Sequence, residues 1–317
     1  MQNKLNYLKS KIINSILPLV TNNYVLWDLP YHNNIGDLLI WEGEISFLKA
    51  IPYYNCVNYS SIETCEYPKL SEETIILLHG GGNFGDIWEK HQDFRLKVIK
   101  MYPKNRIIIL PQTVYYSDNC KLMHDISVMK QHNDLHVCTR DHQSYTLLKE
   151  HINNTMLLPD MAFCIDCGIL QKYMLNCQDK ALFVKRKDLE LNTNTNYHIE
   201  TEYPFDIKDW PSFEKEGPLN ITRRILHKLT INYPIYPLLQ FYNSFMNYYK
   251  YKMIKKGIQF VSSYKEVYTT RLHVAILRVL LEQPFFLYDN NYGKNSSFYE
   301  TWLKNIDNTS CICNKSN

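Results

Sequence analysis

The stretch Thr74-Ile75-Ile76-Leu77-Leu78-His79-Gly80-Gly81-Gly82-Asn83-Phe84-Gly85 holds four of the ten glycines in the chain. Its first half is an apolar run of strand length. Its second half is a glycine-dense turn, and a segment of helical spacing follows. Where a buried strand feeds such a turn and then a helix, backbone N–H groups approach an anion closely and the helix N-terminus adds partial positive charge. The string also satisfies G-x-G-x-x-G. A dinucleotide fold asks in addition for an acidic residue about 20 residues on, at the end of the next strand, to hold a ribose. Here the next apolar run, Arg106–Leu110, ends in Pro111-Gln112-Thr113 with no carboxylate. The glycines also follow a third strand rather than a first. The loop therefore reads as a nest of N–H groups for a smaller anion.

Outward from this loop, short apolar runs alternate with helical spacing. Strands are expected at Tyr24–Asp28, Tyr53–Tyr59, Thr74–His79, Arg106–Pro111, Leu135–Thr139 and Thr155–Pro159. Helices are expected at Asp37–Ala50, Ile87–Met101, Asn119–His132 and Asp141–His151. Such alternation predicts a parallel sheet covered on both faces, with ligands beyond the carboxyl ends of its strands. The rhythm breaks around Cys167–Lys180. Beyond it, strands are expected at Ala181–Lys185, Ile258–Ser263, Val267–Thr270 and Phe285–Tyr288, with an apolar helix at Leu272–Glu282. A polar and aromatic insertion, Asp188–Lys256, separates the first two. Its Tyr233–Tyr251 stretch reads as a helix packed across the domain or as a face for a lipid-linked partner. The whole predicts an α/β fold of two Rossmann-like domains, GT-B-like, with an interdomain cleft. The first spans residues 1–172 and carries the glycine loop. The second is smaller, spans residues 173–317 and carries Thr270-Arg271-Leu272-His273.

A chain of 317 residues, 45% apolar and 21% charged, is long enough for two real cores. A net charge of only +3 argues against a nucleic-acid partner. The nine cysteines, from Cys56 to Cys313, form no short repeating frame. A reducing cytoplasm is the expectation, and Cys164 and Cys167 read as small apolar residues rather than a redox or zinc pair. No metal site is expected. No apolar run reaches the ~18 residues of a membrane span. Near the N-terminus Leu5, Leu8, Ile12, Ile16 and Leu17 recur at helical spacing beside lysines. That pattern is an amphipathic helix, docked on the domain or resting on a membrane surface.

Four further clusters carry candidate chemistry. Arg271 and His273 fall at the start of the apolar helix that follows the Val267–Thr270 strand. The arginine fork suits a carboxylate or phosphate, and a histidine beside an anion suits proton transfer; packing alone is the other reading. The turn Asp289–Ser297 contains Lys294, Asn295 and Ser296, a composition suited to phosphate. Arg140 either reaches into the cleft or pairs with Asp141. In His32-Asn33-Asn34-Ile35-Gly36-Asp37, Asn34 or Asp37 caps the following helix or faces the cleft.

Taken together these stretches resemble the polysaccharide pyruvyl transferase family. The matching segments are His32–Glu44 (HNNIGDLLIWEGE), Leu78–Trp88 (LLHGGGNFGDIW), Ile107–Thr113 (IIILPQT), Thr139–Tyr145 (TRDHQSY), Pro159–Phe163 (PDMAF) and Thr269–Trp302, which includes TTRLHVAI and DNNYGKNSSFYETW. Similar members often carry an acid before Arg-Leu-His. Thr270 stands there in this chain, so the partner of His273 stays open.

The resemblance implies transfer of pyruvate from phosphoenolpyruvate, as co-substrate and without a separate cofactor, to a sugar of a surface polysaccharide such as a capsule or exopolysaccharide. The product is a cyclic ketal. It implies His273 as the acid, with Arg271, Arg140, Lys294, Asn295 and Ser296 on the donor. Gly80, Gly81, Gly82, Asn83, Asn34, Asp37 and Gln112 form the wall for donor or acceptor. A polyprenyl-linked acceptor would bring peripheral contact with the inner face of the membrane. Two other classes compete: a GT-B-type glycosyltransferase using a nucleotide sugar, and a non-catalytic sugar-binding protein of the same pathway.

Overall fold

The computed structural model describes residues 2–312 apart from 52, 189, 194–196, 215 and 307–308. The chain builds two parallel sheets. The first contains β1 (Tyr24–Trp27), β2 (Cys56–Tyr59), β3 (Ile75–Leu78), β4 (Gly81–Gly85), β5 (Ile107–Tyr115), β6 (Leu135–Thr139) and β7 (Thr155–Leu157), ordered β2-β1-β3-β5-β6-β7 with β4 paired to β5. The second contains β8 (Gln178–Val184), β9 (Phe205–Lys208), β10 (Tyr264–Thr269), β11 (Phe285–Tyr288) and β12 (Thr309–Ile312), ordered β12-β11-β10-β8-β9. The helices are α1 (Gln2–Ile16), α2 (Ile35–Leu48), α3 (Glu89–Met101), α4 (Asn119–Met129), α5 (His142–Lys149), α6 (Cys167–Tyr173), α7 (Pro211–Glu214), α8 (Pro218–Asn232), α9 (Tyr236–Ser262), α10 (Leu272–Leu280) and α11 (Lys294–Phe298). This is the α/β organisation of parallel sheets that the alternation predicts, with two sheets consistent with two Rossmann-like halves.

Strands β1, β3 and the start of β5 are buried on both faces, as uninterrupted apolar runs require. Helix α2 is apolar almost all round, so it has no solvent face and lies between the two halves. It packs on the short 3₁₀ turn Met161–Cys164, on α9 and on α10. One continuous core therefore runs from α1 through α2 to α9 and α10. Helix α1 is docked in that core by Leu8, Ile12 and Ile16, which settles the N-terminal stripe in favour of packing.

Three expectations are corrected. Ile258–Ser263 is not a strand: residues through Ser262 are the last turns of α9, and Ile258 and Val261 continue its buried stripe. A short apolar run does not distinguish a strand from the end of a buried helix. The insertion Asp188–Lys256 carries an edge strand, β9, and the helices α7 and α8 as well as most of α9. Finally, the glycine turn is itself a strand. Gly81–Gly85 pairs with the far end of β5, Gly81 opposite Gln112 and Gly85 opposite Tyr115, and the helix begins only at Glu89. Gly85, at φ +121°, lies so close to the Tyr115 carbonyl that no Cβ fits. Cys164 is buried and Cys167 exposed, both as free thiols, while Cys313 lies outside the described residues.

Candidate active site

A cavity of about 390 Å3 opens between the carboxyl ends of the two sheets, where parallel sheets place their ligands. Its first wall is built by the segments after β1 and β3. Asn34 is the N-cap of α2, its Oδ1 accepting from the Gly36 amide at 3.1 Å while its Nδ2 donates to Asp37 at 2.8 Å. Burial alone would raise the Asp37 carboxyl, but His32, His273, His79 and Lys294 around it outweigh that and hold it below its ordinary value. At the end of β3, His79 bonds through Nδ1 to the fully buried Glu44 at 2.8 Å, and the other oxygen of Glu44 accepts from the Gly80 amide at 2.9 Å. Burial would lower His79; the Glu44 carboxylate raises it, and the net displacement is upward.

The glycine strand is not an array of free amides. The Gly80 amide is taken by Glu44 and the Asn83 amide by Oε1 of Gln112 at 3.3 Å. Gln112 is wholly buried beneath the strand, donating to the His79 carbonyl and to Oδ1 of Asn83. Gly81 is buried as well; Gly80, Gly82 and Asn83 face the cavity. What the glycines provide is space. A Cβ at Gly82 would collide with Nζ of Lys294 and sit 2.9 Å from Nη2 of Arg140.

Those two cations come from opposite halves. Arg140 follows β6, is completely buried, and is held by Asp160 on Nη1 and by the Thr113 hydroxyl on Nε at 2.9 Å. Its Nη2 has no protein partner although it is buried. Lys294 opens α11, with Nζ 3.3 Å from Glu190. Burial, together with Arg140 and Arg186, lowers the Lys294 ammonium despite Glu190, whose own carboxyl is pulled down to about 2 by Lys294 and Arg186 against the effect of burial. A buried guanidinium N–H without a partner costs free energy unless something anionic completes it.

His273 lies in the first turn of α10, its side chain close against Gly36, where a Cβ would come within 2.6 Å of Nδ1. Its Nε2 is 3.4 Å from both Asp160 Oδ2 and Arg140 Nη1. Asp160 is therefore the carboxylate partner that Thr270 does not supply. Burial would raise its carboxyl, but Arg140, His273 and the Ala162 amide hold it far below the usual range.

The other expected residues are distributed less evenly. Arg271, the N-cap of α10, lines the cavity, yet its fork is closed on Asp209, with Nη2 also 3.2 Å from Asp188, and its plane lies over Phe213. Asn295 faces the cavity but donates to the carbonyls of Thr270 and Tyr288, tying β10 to β11. Ser296 is not in the cavity wall; its hydroxyl bonds the Gly293 carbonyl. The amides of Asn295 and Ser296 are already occupied by the Asp289 carboxylate, so this turn contributes Lys294 Nζ rather than an amide cradle. Asp160, Glu44, His79, Asp209, Arg186 and Glu190 were not singled out by the sequence reading. Two signals were available. Asp160 follows Pro159 just past a strand's carboxyl end, and Glu44 is a carboxylate inside an otherwise apolar helix. Among the described residues there is no cluster of three or more His, Cys, Asp or Glu side chains arranged to hold a metal ion.

Comparisons with known proteins place the chain among relatives. Residues 34–292 match the sequence pattern of the family described as polysaccharide pyruvyl transferase. The chain is 32% identical over 289 residues to the protein named "Putative pyruvyl transferase EpsO" of Bacillus subtilis (strain 168), covering 90% of this chain and 87% of that one. It is 25% identical over 296 residues to Pyruvyl transferase 1 of Schizosaccharomyces pombe (strain 972 / ATCC 24843), covering 86% of this chain and 68% of that one. Its fold is shared with the crystal structure of an uncharacterised protein from Klebsiella pneumoniae subsp. pneumoniae NTUH-K2044, at a TM-score of 0.67 and 21% identity, over 96% of this chain and 98% of that one. The match over residues 34–292, with the 32% identity to a relative across 90% of this chain, places this chain in the polysaccharide pyruvyl transferase family.

Proposed function

We propose that the protein transfers the enolpyruvyl carbons of phosphoenolpyruvate to two hydroxyls of one sugar residue, closing a cyclic pyruvate ketal, with the acceptor carried on a polyprenyl lipid at the membrane. The observation that carries the reading is the group at Gly82: the unpartnered Nη2 of Arg140 and Nζ of Lys294 converge there, with Nε2 of His273 within 3.4 Å of the same guanidinium. An anion of two charged ends, one on Arg140 and one toward Lys294, lies beside a proton donor in this arrangement.

In the proposed reaction His273 delivers its proton to the methylene carbon, leaving C2 electrophilic between the bound carboxylate and phosphate oxygen. A sugar hydroxyl attacks C2, and its proton restores His273. The C2–O bond to phosphate then breaks, and the second hydroxyl attacks C2 to close the ring, its proton leaving with the phosphate. One hydroxyl proton ends on the new methyl group and the other on inorganic phosphate, so no cofactor is consumed. Asp160 keeps the imidazolium in place and offsets its charge.

Phosphate release from phosphoenolpyruvate by the purified protein, dependent on an added sugar acceptor, tests the reading. General acid catalysis is usually worth ~100-fold or more. If His273→Ala stays within about threefold of wild type, the acid assignment fails; if no acceptor elicits release, the donor assignment fails.

A further inference from the structure

Helix α8 has two apolar faces. Leu226 packs against the core and Asn220 and Thr230 are buried, which fixes the inner face. On the outer face Ile221, Ile225 and Leu229 recur every fourth residue at 48%, 55% and 42% exposure. The stripe continues through the turn into α9: Tyr233, Ile235, Tyr236 and Phe241 are all more than half exposed. A contiguous row of this size, outside the site, calls for a partner surface.

Charge indicates which surface. Between residues 217 and 264 the chain holds seven Lys or Arg and no Asp or Glu. With a total of +3, the remainder carries 3 − 7 = −4. Within the segment Lys228 and Lys256 are exposed, Lys252 and Lys255 are half-buried over Tyr248 and Tyr173, Arg224 is shared with Glu216, and Lys250 is buried against Glu42. Exposed isoleucine, leucine and tyrosine on a segment whose own charges are all basic is the composition that lies in an anionic lipid interface. No helix among the described residues is long and apolar enough to cross a membrane, so the contact is one of lying on the surface.

We infer that the outer face of α8 and the α8–α9 corner dock on an anionic phospholipid bilayer. The face is joined to the cavity wall. Arg223 Nη1 donates to the Tyr31 carbonyl at 2.9 Å, beside the His32–Asn34 turn, and Asn33 Nδ2 donates to the Ser212 carbonyl at 3.1 Å. Trp210 and Phe213, at the base of the same segment, line the cavity. A bilayer held by α8 thus lies against the element that forms the cavity rim, which is where a lipid-carried acceptor arrives. That purpose rests on the proposed acceptor; the binding itself does not.

The test uses the full chain with sucrose-loaded vesicles of phosphatidylcholine alone or mixed with phosphatidylglycerol, in the absence of donor and sugar. Wild type is expected to sediment with the anionic vesicles, less so as salt rises. The double variant Ile225→Glu, Leu229→Glu is expected to lose at least ~10-fold in partitioning with its melting temperature and its turnover on a water-soluble sugar retained, because both side chains are already in solvent. The inference is overturned if wild type ignores anionic vesicles, if the variant binds as well as wild type, or if the variant instead converts a dimer to a monomer by light scattering, which would assign the face to a second copy. Since turnover on a soluble sugar is read separately, loss of vesicle binding and failure of the transferase reading are distinguishable.

Discussion

Nε2 of His273, at the start of α10, lies 3.4 Å from Oδ2 of Asp160, which follows β7 in the other half of the molecule. The same carboxylate holds Arg140, so one buried acid orients both the proposed proton donor and the proposed anion site. Asp160→Asn keeps the shape and removes the charge. Leaving a buried guanidinium uncompensated usually costs about 3–5 kcal/mol. The sign with pH follows from the depressed carboxyl. Its contribution is fully present above the unfolded value of about 4 and is lost as pH falls toward its lower folded value. Urea denaturation should therefore show wild type ahead of the variant at pH 7, with the gap closing below about pH 4. An equal gap at both pH values would mean that Asp160 contributes through packing and not charge.

Gly82→Ala acts directly on the anion site. No left-handed backbone requirement applies at this position, and the methyl's nearest neighbours are the ends of Lys294 and Arg140. Relief moves the buried ends of Lys294 and Arg140, so stability should fall by about 1–3 kcal/mol, the usual range of overpacking. The Michaelis constant for phosphoenolpyruvate should rise at least ~10-fold, the equivalent of about 1.4 kcal/mol of lost binding. Initial rates across donor concentration, with acceptor saturating, measure this; an unchanged constant would place the donor away from Gly82.

The parts of the molecule legible in the sequence were those with local periodicity. Ile75–Leu78 and Leu135–Thr139 are apolar runs of strand length, and α2, α3, α4, α5 and α10 have helical spacing. Arg140, His273 and Lys294 stood out because each follows a strand's carboxyl end within a motif. What was hidden is long-range. Asp160 and His273 are 113 residues apart, and nothing in either segment shows that they meet. Arg271 is expected on the donor, and its closure on Asp209, 62 residues upstream, is hidden because Asp209 lies in a segment that reads as an insertion. The glycine strand β4 was hidden for a different reason: glycine has weak strand preference, and only pairing with the extended β5 makes Gly81–Gly85 a strand.

Glu44→Gln probes the His79 pair. The Gln carbonyl can still accept from Gly80, but the carboxylate charge beside the buried imidazole is gone. Because the native environment raises His79 above its unfolded value of about 6.5, the pair's contribution is fully present below that pH and is lost as pH rises through the folded value. A hydrogen bond to a charged group is worth about 1.5–3 kcal/mol. Denaturation midpoints at pH 6 and pH 9 should show the larger deficit for the variant at pH 6. A deficit independent of pH would indicate that His79 stays neutral throughout.

Gly43→Ala tests how rigidly the fold fixes the proton-transfer group. In α2, a Cβ at Gly43 would overlap the carbonyl oxygen of Met161 and reach within 3.0 Å of the Ala162 Cα. Neither is a flexible side-chain end, so relief requires a backbone shift of α2 or of residues 160–162. Overpacking of this kind typically costs 1–3 kcal/mol, that is, about 2 kcal/mol. The displaced backbone includes the Ala162 amide that donates to Asp160 at 2.9 Å, and Asp160 in turn is fixed to Arg140 and His273. Activity measured well below the variant's melting temperature should therefore fall by ten-fold or more, the equivalent of about 1.4 kcal/mol at the barrier. The Michaelis constant for the donor should rise as well, because the same carboxylate holds Arg140. Full activity in a folded, destabilised Gly43→Ala protein would show that Asp160 tolerates displacement, and the orientation of His273 would then have to rest on the Gly36 contact alone.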